Sequence, residues 1–276
     1  MIVLTIAVGV VVGLVVGALG AGGGILSVPI LVFLLSQDPH AATAESLLIV
    51  LVTAVVSLVF RACREKVAYR EGVLFGGLSV VGSVLGARAT GYVSPATLLL
   101  MFSALLVGVS VLMGARAVGQ WRNYWTHFEG EIVRGNAQET TQKSTSIRAA
   151  SKQRAPQWLP LLLLATVCGL MTGFFGVGGG FIVVPLLVLA LKMPIKQAAS
   201  TSLVVMIIAS IAGLAGRFDM WSQIDGGVVA MFTLGSAVGG AAGAPLSRRA
   251  RDYQLTAVFA ALLAVVAIFT AMRTLI

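Results

Sequence analysis

The sequence predicts an all-α fold: a polytopic transmembrane helical bundle of two inverted repeats, each with a short half-helix behind a glycine break. Three observations carry that expectation. The chain has 276 residues, of which 58% are hydrophobic and only 11% charged, and its mean hydropathy is +0.99. A soluble core of this size cannot hide that much apolar surface. The apolar runs are about 17 to 25 residues long, the length of helix that crosses roughly 30 Å of hydrocarbon, and they lack the period-two alternation of a barrel strand. Finally, "GALGAGGGILSVPIL" at 17–31 returns as "GFFGVGGGFIVVPLL" at 173–187, Gly20 corresponding to Gly176 at an offset of 156 positions.

In chain order the helical pieces cover 2–19, 24–35, 42–60, 71–89 and 95–115, then 158–175, 179–191, 197–216, 226–246 and 252–273. The first has no basic segment ahead of its apolar run, so it reads as a retained span and not as a cleaved signal peptide. The second and seventh have only about 12 or 13 residues, which at 1.5 Å each cover about 18 to 20 Å, too little to cross. They are half-helices. The third and eighth open on "HAATAESL" (40–47) and "KQAASTSL" (196–203), in the same 156-residue register, and Arg61 matches Arg217. With a small shift, "GSVLGARA" (82–89) meets "GSAVGGAA" (235–242). Sustained register over this distance argues duplication rather than chance likeness of glycine-rich stretches.

Three regions follow: a first transmembrane repeat at 1–115, a linker at 116–157 and a second repeat at 158–276. The linker carries seven Lys or Arg against three Glu and ends in the Ser/Thr/Gln-rich "NAQETTQKSTSIRAASKQRAPQ". It reads as cytoplasmic. Its first part places Trp121, Tyr124, Trp125, Phe128 and Ile132 at helical spacing. Either an interfacial helix or an aromatic belt closing the fifth piece produces that pattern.

Charge orients the halves. The segment 61–70 holds Arg61, Arg64, Lys66 and Arg70, whereas its counterpart holds Arg217 with Asp219 and Asp225. Likewise Arg248, Arg249 and Arg251 follow the ninth piece, while 90–94 has no charge. If Lys and Arg mark the cytoplasm, the halves are inverted, the linker lies inside and both termini outside. The same accounting explains the net charge of +9 as a topology signal, with no nucleic-acid partner. The bilayer is the expected partner.

A non-helical break inside lipid is tolerated only where it is buried in protein or lines a wet cavity. Gly20, Gly22, Gly23 and Gly24, with Gly176, Gly178, Gly179 and Gly180, permit such a break. The half-helix after each one presents free N–H groups and the positive end of its dipole. Two such ends converging near the midplane form an anion site built largely from backbone. The competing reading is that small residues serve close helix packing. Both stay open at the level of sequence. Ser27, Ser46, Ser200, Thr201 and Ser202 supply hydroxyls near the same helix starts, as substrate donors or as caps and back-bonds to carbonyls. Pro29 and Pro185 keep the half-helices short or kinked.

At these residues the chain resembles the sulfite exporter TauE/SafE family of membrane permeases. The pattern is a glycine cluster, a proline a few residues on and a helix opening in A-x-x-T-S-L. The second half meets it as "GVGGG", "VVPLL" and "AASTSL", the first as "GAGGG", "SVPIL" and "ATAESL". The resemblance spans both transmembrane halves and not the linker. It implies a transporter of a small sulfur-containing anion such as sulfite, sulfoacetate or another organosulfonate in the cytoplasmic (inner) membrane. One position departs from the pattern: Glu45 stands where the second half has Thr201.

An ionisable residue inside a span is expensive and usually functional, so Glu45 is a candidate carrier of a coupling proton. The alternative is a hydrated carboxylate at a helix N-terminus. Arg88 is the basic residue inside an apolar piece, with Ala241 as its repeat partner. It either attracts anions from outside or snorkels from a helix end. Arg61 and Arg217 read as anchors at helix ends.

No cofactor or metal site is expected. Cys63 and Cys168 form no CxxC pair, and neither HExxH nor GxSxG occurs. The convergent polar groups of an enzyme are missing from the sequence. The serious alternative to a carrier is an anion-selective channel built on the same opposed half-helices.

Overall fold

A computed structural model describes residues 2–20, 23–62, 67–134, 158–191, 193–217, 226–249 and 252–275. Among them are ten α-helices and no strand. They are α1 (Ile2–Leu19), α2 (Gly24–Phe33), α3 (Pro39–Ala62), α4 (Tyr69–Ala89), α5 (Pro95–Arg134), α6 (Trp158–Phe175), α7 (Gly180–Ala190), α8 (Ile195–Ala215), α9 (Gly226–Arg249) and α10 (Asp252–Leu275). A 3-10 turn, Thr90–Tyr92, joins α4 to the α5 loop. Six helices, α3, α4, α5, α8, α9 and α10, are long and apolar enough to cross a membrane. An all-α bundle of membrane-crossing helices is the class the sequence predicts.

Helix directions follow from which residues touch. Gly9 lies against Phe232 and Gly17 against Gly240, so α1 and α9 run parallel. Gly82 meets Thr166 and Gly86 meets Leu170, so α4 and α6 do the same. These are repeat-equivalent pairs, each joining one half to the other. Both close through glycine stripes. A Cβ at Gly13 would sit 2.0 Å from the Ser236 carbonyl oxygen, and one at Gly173 would sit 1.9 Å from that of Ser83. Backbones approach this closely only where no side chain intervenes, the device membrane helices use in place of a hydrophobic drive.

The equivalent helices of the two halves run in opposite directions. Leu47 packs on Gly213, while Arg61 reaches Ser200, so α3 and α8 cross antiparallel at the centre. On the outside, Ser110 donates to the Ala260 carbonyl at 2.8 Å and Thr256 meets Gln120 at 3.1 Å, which sets α5 antiparallel to α10. Gly72 faces Thr201 and Gly76 faces Val205, so α8 is parallel to α4 and hence to α6. The chain between α6 and α8 must therefore double back, and the glycine break with α7 is the segment that does so. The matching return in the first half is made by α2, because α3 runs parallel to α9, Thr53 meeting Ser236 at 2.7 Å and Ser57 lying against Gly240.

One consequence is topological. The helix ends that flank 63–66, 135–157 and 250–251 all lie at one end of the bundle, while α1 begins and α10 finishes at the other. Phe102, Phe175 and Phe181 pack with ring centroids 5.6 and 6.2 Å apart in the main apolar core between the halves. Outward-facing Val3, Val81, Val111, Val238 and Val265 are exposed, as suits a surface bathed in hydrocarbon.

One boundary differs from expectation. The fifth helix does not stop at 115 but continues to Arg134, so the aromatic stretch from Trp121 extends α5 itself. Residues 135–157 lie outside the described residues.

Candidate functional site

Glycine supplies backbone conformations at the breaks that other residues rarely adopt. Gly20, Gly176, Gly178 and Gly179 have φ of 64°, 67°, 68° and 70°, the left-handed region in which a Cβ is strained. The two breaks meet. A Cβ at Gly24, the first residue of α2, would lie 2.2 Å from the carbonyl oxygen of Val177, in the middle of the second break. Gly178 lies against Val50, halfway along α3, and Gly179 against the Thr172 hydroxyl. Gly23 has more room, its nearest neighbour being Val16 at 3.3 Å. Gly180 starts α7, and Gly22 lies outside the described residues.

The hydroxyls tie each break to the opposite half. Ser202 donates to the Gly20 carbonyl at 2.7 Å, and its repeat partner Ser46 donates to the Gly176 carbonyl. Gly20 rests on the backbone of Ala199, and Gly176 on that of Thr43, again repeat-equivalent positions. Ser27 donates back to the Gly23 carbonyl at 2.9 Å. Thr201 accepts the Ala68 N–H at 3.2 Å just before α4, which makes it a cap for a neighbouring helix. Ser200 donates to the Lys196 carbonyl at 3.1 Å. Five hydroxyls singled out in the sequence are thus buried and engaged with the protein.

Glu45 is fully buried in α3, between Ala44 and the Ser46 that bonds the second break. A hydrated carboxylate, the alternative reading, does not fit that burial. Arg88 is exposed in the last turn of α4, the position of a side chain that snorkels from a helix end.

Sequence reasoning missed the two other arginines. Read as helix-end anchors, Arg61 and Arg217 are in fact only 1% and 3% exposed. Arg61 Nη2 donates to the Gly17 and Ala18 carbonyls at 2.6 and 2.9 Å, and Nη1 to the Ser200 hydroxyl at 3.2 Å. Arg217 Nη2 donates to the Gly173 and Phe174 carbonyls at 2.6 and 3.2 Å, and Nη1 to the Thr43 hydroxyl. Each guanidinium therefore closes the last turn of the helix before its own half's break, where a cation complements the dipole. It also reaches a hydroxyl of the opposite half. Because α3 and α8 are antiparallel, the two lie at opposite ends of the bundle. Arg217 follows the end of α8, and burial pushes its guanidinium down to about 10, so it stays charged at neutral pH. The clue in the sequence was the exact repeat register of the pair, which interfacial anchors do not require. Among the described residues no group of His, Cys, Asp and Glu is arranged to hold a metal ion.

A multi-pass bundle of parallel and antiparallel apolar helices, with two half-helices meeting inside it, defines an integral membrane protein. The family model for the sulfite exporter TauE/SafE matches residues 5–270, and the chain belongs to that family. It is 30% identical over 281 residues to a "Probable membrane transporter protein" of Xylella fastidiosa (strain 9a5c), covering 99% of this chain and 96% of that one. It is 29% identical over 260 residues to "Probable membrane transporter protein YunE" of Bacillus subtilis (strain 168), covering 90% and 89%. No solved structure matches. The protein is a multi-pass membrane transporter.

Proposed function

We infer that the protein is a secondary transporter that moves a small sulfur-containing anion, such as sulfite, sulfoacetate or another organosulfonate, across the cytoplasmic membrane by alternating access. The observation that carries this reading is the meeting of the two breaks, Gly24 against Val177, which brings the starts of α2 and α7 together inside the bundle. Helix starts offer N–H groups and positive dipole ends to an anion. The antiparallel crossing of α3 and α8 supports inverted repeats, whose rocking about a shared centre is the usual basis of alternating access.

Orientation follows the positive-inside rule. The basic segments 61–70, 116–157 and 248–251 belong to helix ends on one side of the bundle, which is then cytoplasmic, with both termini external. Arg61 is on the cytoplasmic side and Arg217 on the external side. Glu45, buried beside the second break, is the group we assign to a coupling proton. It is neutral when the anion is bound, since two negative charges close together in a dry site repel strongly.

Thermal unfolding of the purified protein tests the substrate class, using sulfite, sulfate, thiosulfate, sulfoacetate, taurine, acetate and chloride at matched ionic strength. A ligand that binds only the folded state stabilises it by about 2.7 kcal/mol at a hundredfold excess over Kd. Stabilisation by a sulfur oxyanion or sulfonate alone is the expected result. Equal response to every anion, or to none, contradicts it.

A further inference from the structure

The polar cluster around Arg217 lies outside the glycine breaks and is more than a helix cap needs. Its acceptors are all neutral: the Gly173 and Phe174 carbonyls and the Thr90 hydroxyl, the last at 3.0 Å, on Nη2, and the Thr43 hydroxyl on Nη1. Nε is buried and has no acceptor among the described residues. No carboxylate pairs with this side chain among the described residues either. A dry guanidinium without a counter-charge is costly, and a buried donor without an acceptor adds to the cost. Both deficits are removed by the same thing, a small anion with at least two oxygens. The guanidinium fork matches such a group, and charge-assisted bonds of this kind are about twice as strong as those to neutral oxygens.

The surroundings suit passage and not only rest. Thr90 sits two residues beyond the exposed Arg88, so a cation at the surface precedes the buried one. Thr43, the partner of Nη1, lies two residues before Glu45 on α3 and carries the carbonyl on which Gly176 rests. The cluster thus stands between the end of the bundle and the second break.

We propose that Arg217 is a substrate-binding residue of the transporter, holding an oxyanion or sulfonate on its Nε edge between the outer end of the bundle and the paired glycine breaks. The anion accepts from Nε–H and from Nη2 beside it, in place of one of the neutral oxygens now there. This rests on the anion-transport reading above. Arg61 holds the equivalent place at the opposite end.

The test uses the full chain, reconstituted in proteoliposomes and purified in detergent, with sodium sulfite against sodium gluconate at equal ionic strength. In Arg217→Lys the charge remains but the Nε–H and the fork are lost. The expected result is a sulfite KM raised at least tenfold with the maximal rate within threefold of wild type, and loss of the sulfite-induced rise in Tm. A purely structural role lowers Tm without sulfite and leaves KM where it was, and that result overturns the proposal while leaving anion transport intact. Wild-type protein that neither transports sulfite nor is stabilised by it removes the proposal and its foundation together. Should Arg217→Lys and Arg217→Gln both fail to fold, wild-type crystals soaked in selenite decide the matter. An anomalous selenium peak that puts a selenite oxygen within hydrogen-bonding distance of Arg217 Nε supports the assignment, and a peak only elsewhere, or none, overturns it.

Discussion

Ser202 donates its hydroxyl hydrogen to the carbonyl of Gly20 at 2.7 Å, across 182 positions of sequence. Ser46 does the same for Gly176, so each half of the protein pins the glycine break of the other. A break in a membrane helix leaves carbonyls without intrahelical partners, and here the duplicated serine supplies the missing donor.

Replacing either serine by alanine leaves a buried carbonyl without its donor. Ser46→Ala and Ser202→Ala are each expected to lower stability by about 1–3 kcal/mol, read as a fall in Tm in detergent. Unchanged Tm in both variants contradicts the pinning role.

The glycines separate into two kinds. At Gly173 an added Cβ meets the Ser83 carbonyl, while at Gly108 on α5 nothing lies within 4 Å. Gly173→Ala is expected to cost at least about 1–3 kcal/mol by overpacking backbone on backbone. By contrast, Gly108→Ala is expected to be neutral or to stabilise by about 0.5–1 kcal/mol, because alanine is the better helix former. Expression level and Tm of the two variants check this directly.

Glu45→Gln removes the titrating group at the second break and keeps its shape. Transport that depends on pH in the wild type is expected to become flat in this variant. A pH profile that survives the substitution removes Glu45 from coupling.

Arg88 is exposed, so its contribution is long-range. Arg88→Ala is expected to leave Tm unchanged and to raise KM about threefold or less at low salt, the difference vanishing as ionic strength shortens the Debye length below about 8 Å. An effect that persists in high salt assigns Arg88 to direct contact instead.

Much of the fold was legible because lipid leaves the chain few choices. Apolar run length set most helices to within a few residues, and the glycine-proline repeat located both half-helices. The end of α5 was not legible, since the charged and aromatic residues after Ala115 fit a helix running on as well as one lying at the interface. Arg61 and Arg217 were misread as anchors for a different reason. Sequence position put them at helix ends, but burial depends on α1, α6 and the opposite half closing over them, which no local pattern encodes. The hydroxyls named from sequence are buried, yet the acceptors of Ser46 and Ser202, carbonyls of the other half, are visible only once the halves are packed.

Counterflow in proteoliposomes tests alternating access most directly. Vesicles preloaded with unlabelled sulfite are expected to take up labelled sulfite faster than empty ones, with saturation, because a carrier that must present its site to alternate sides returns faster when loaded. Uptake that is indifferent to internal sulfite and rises in proportion to external concentration contradicts alternating access and identifies an anion channel.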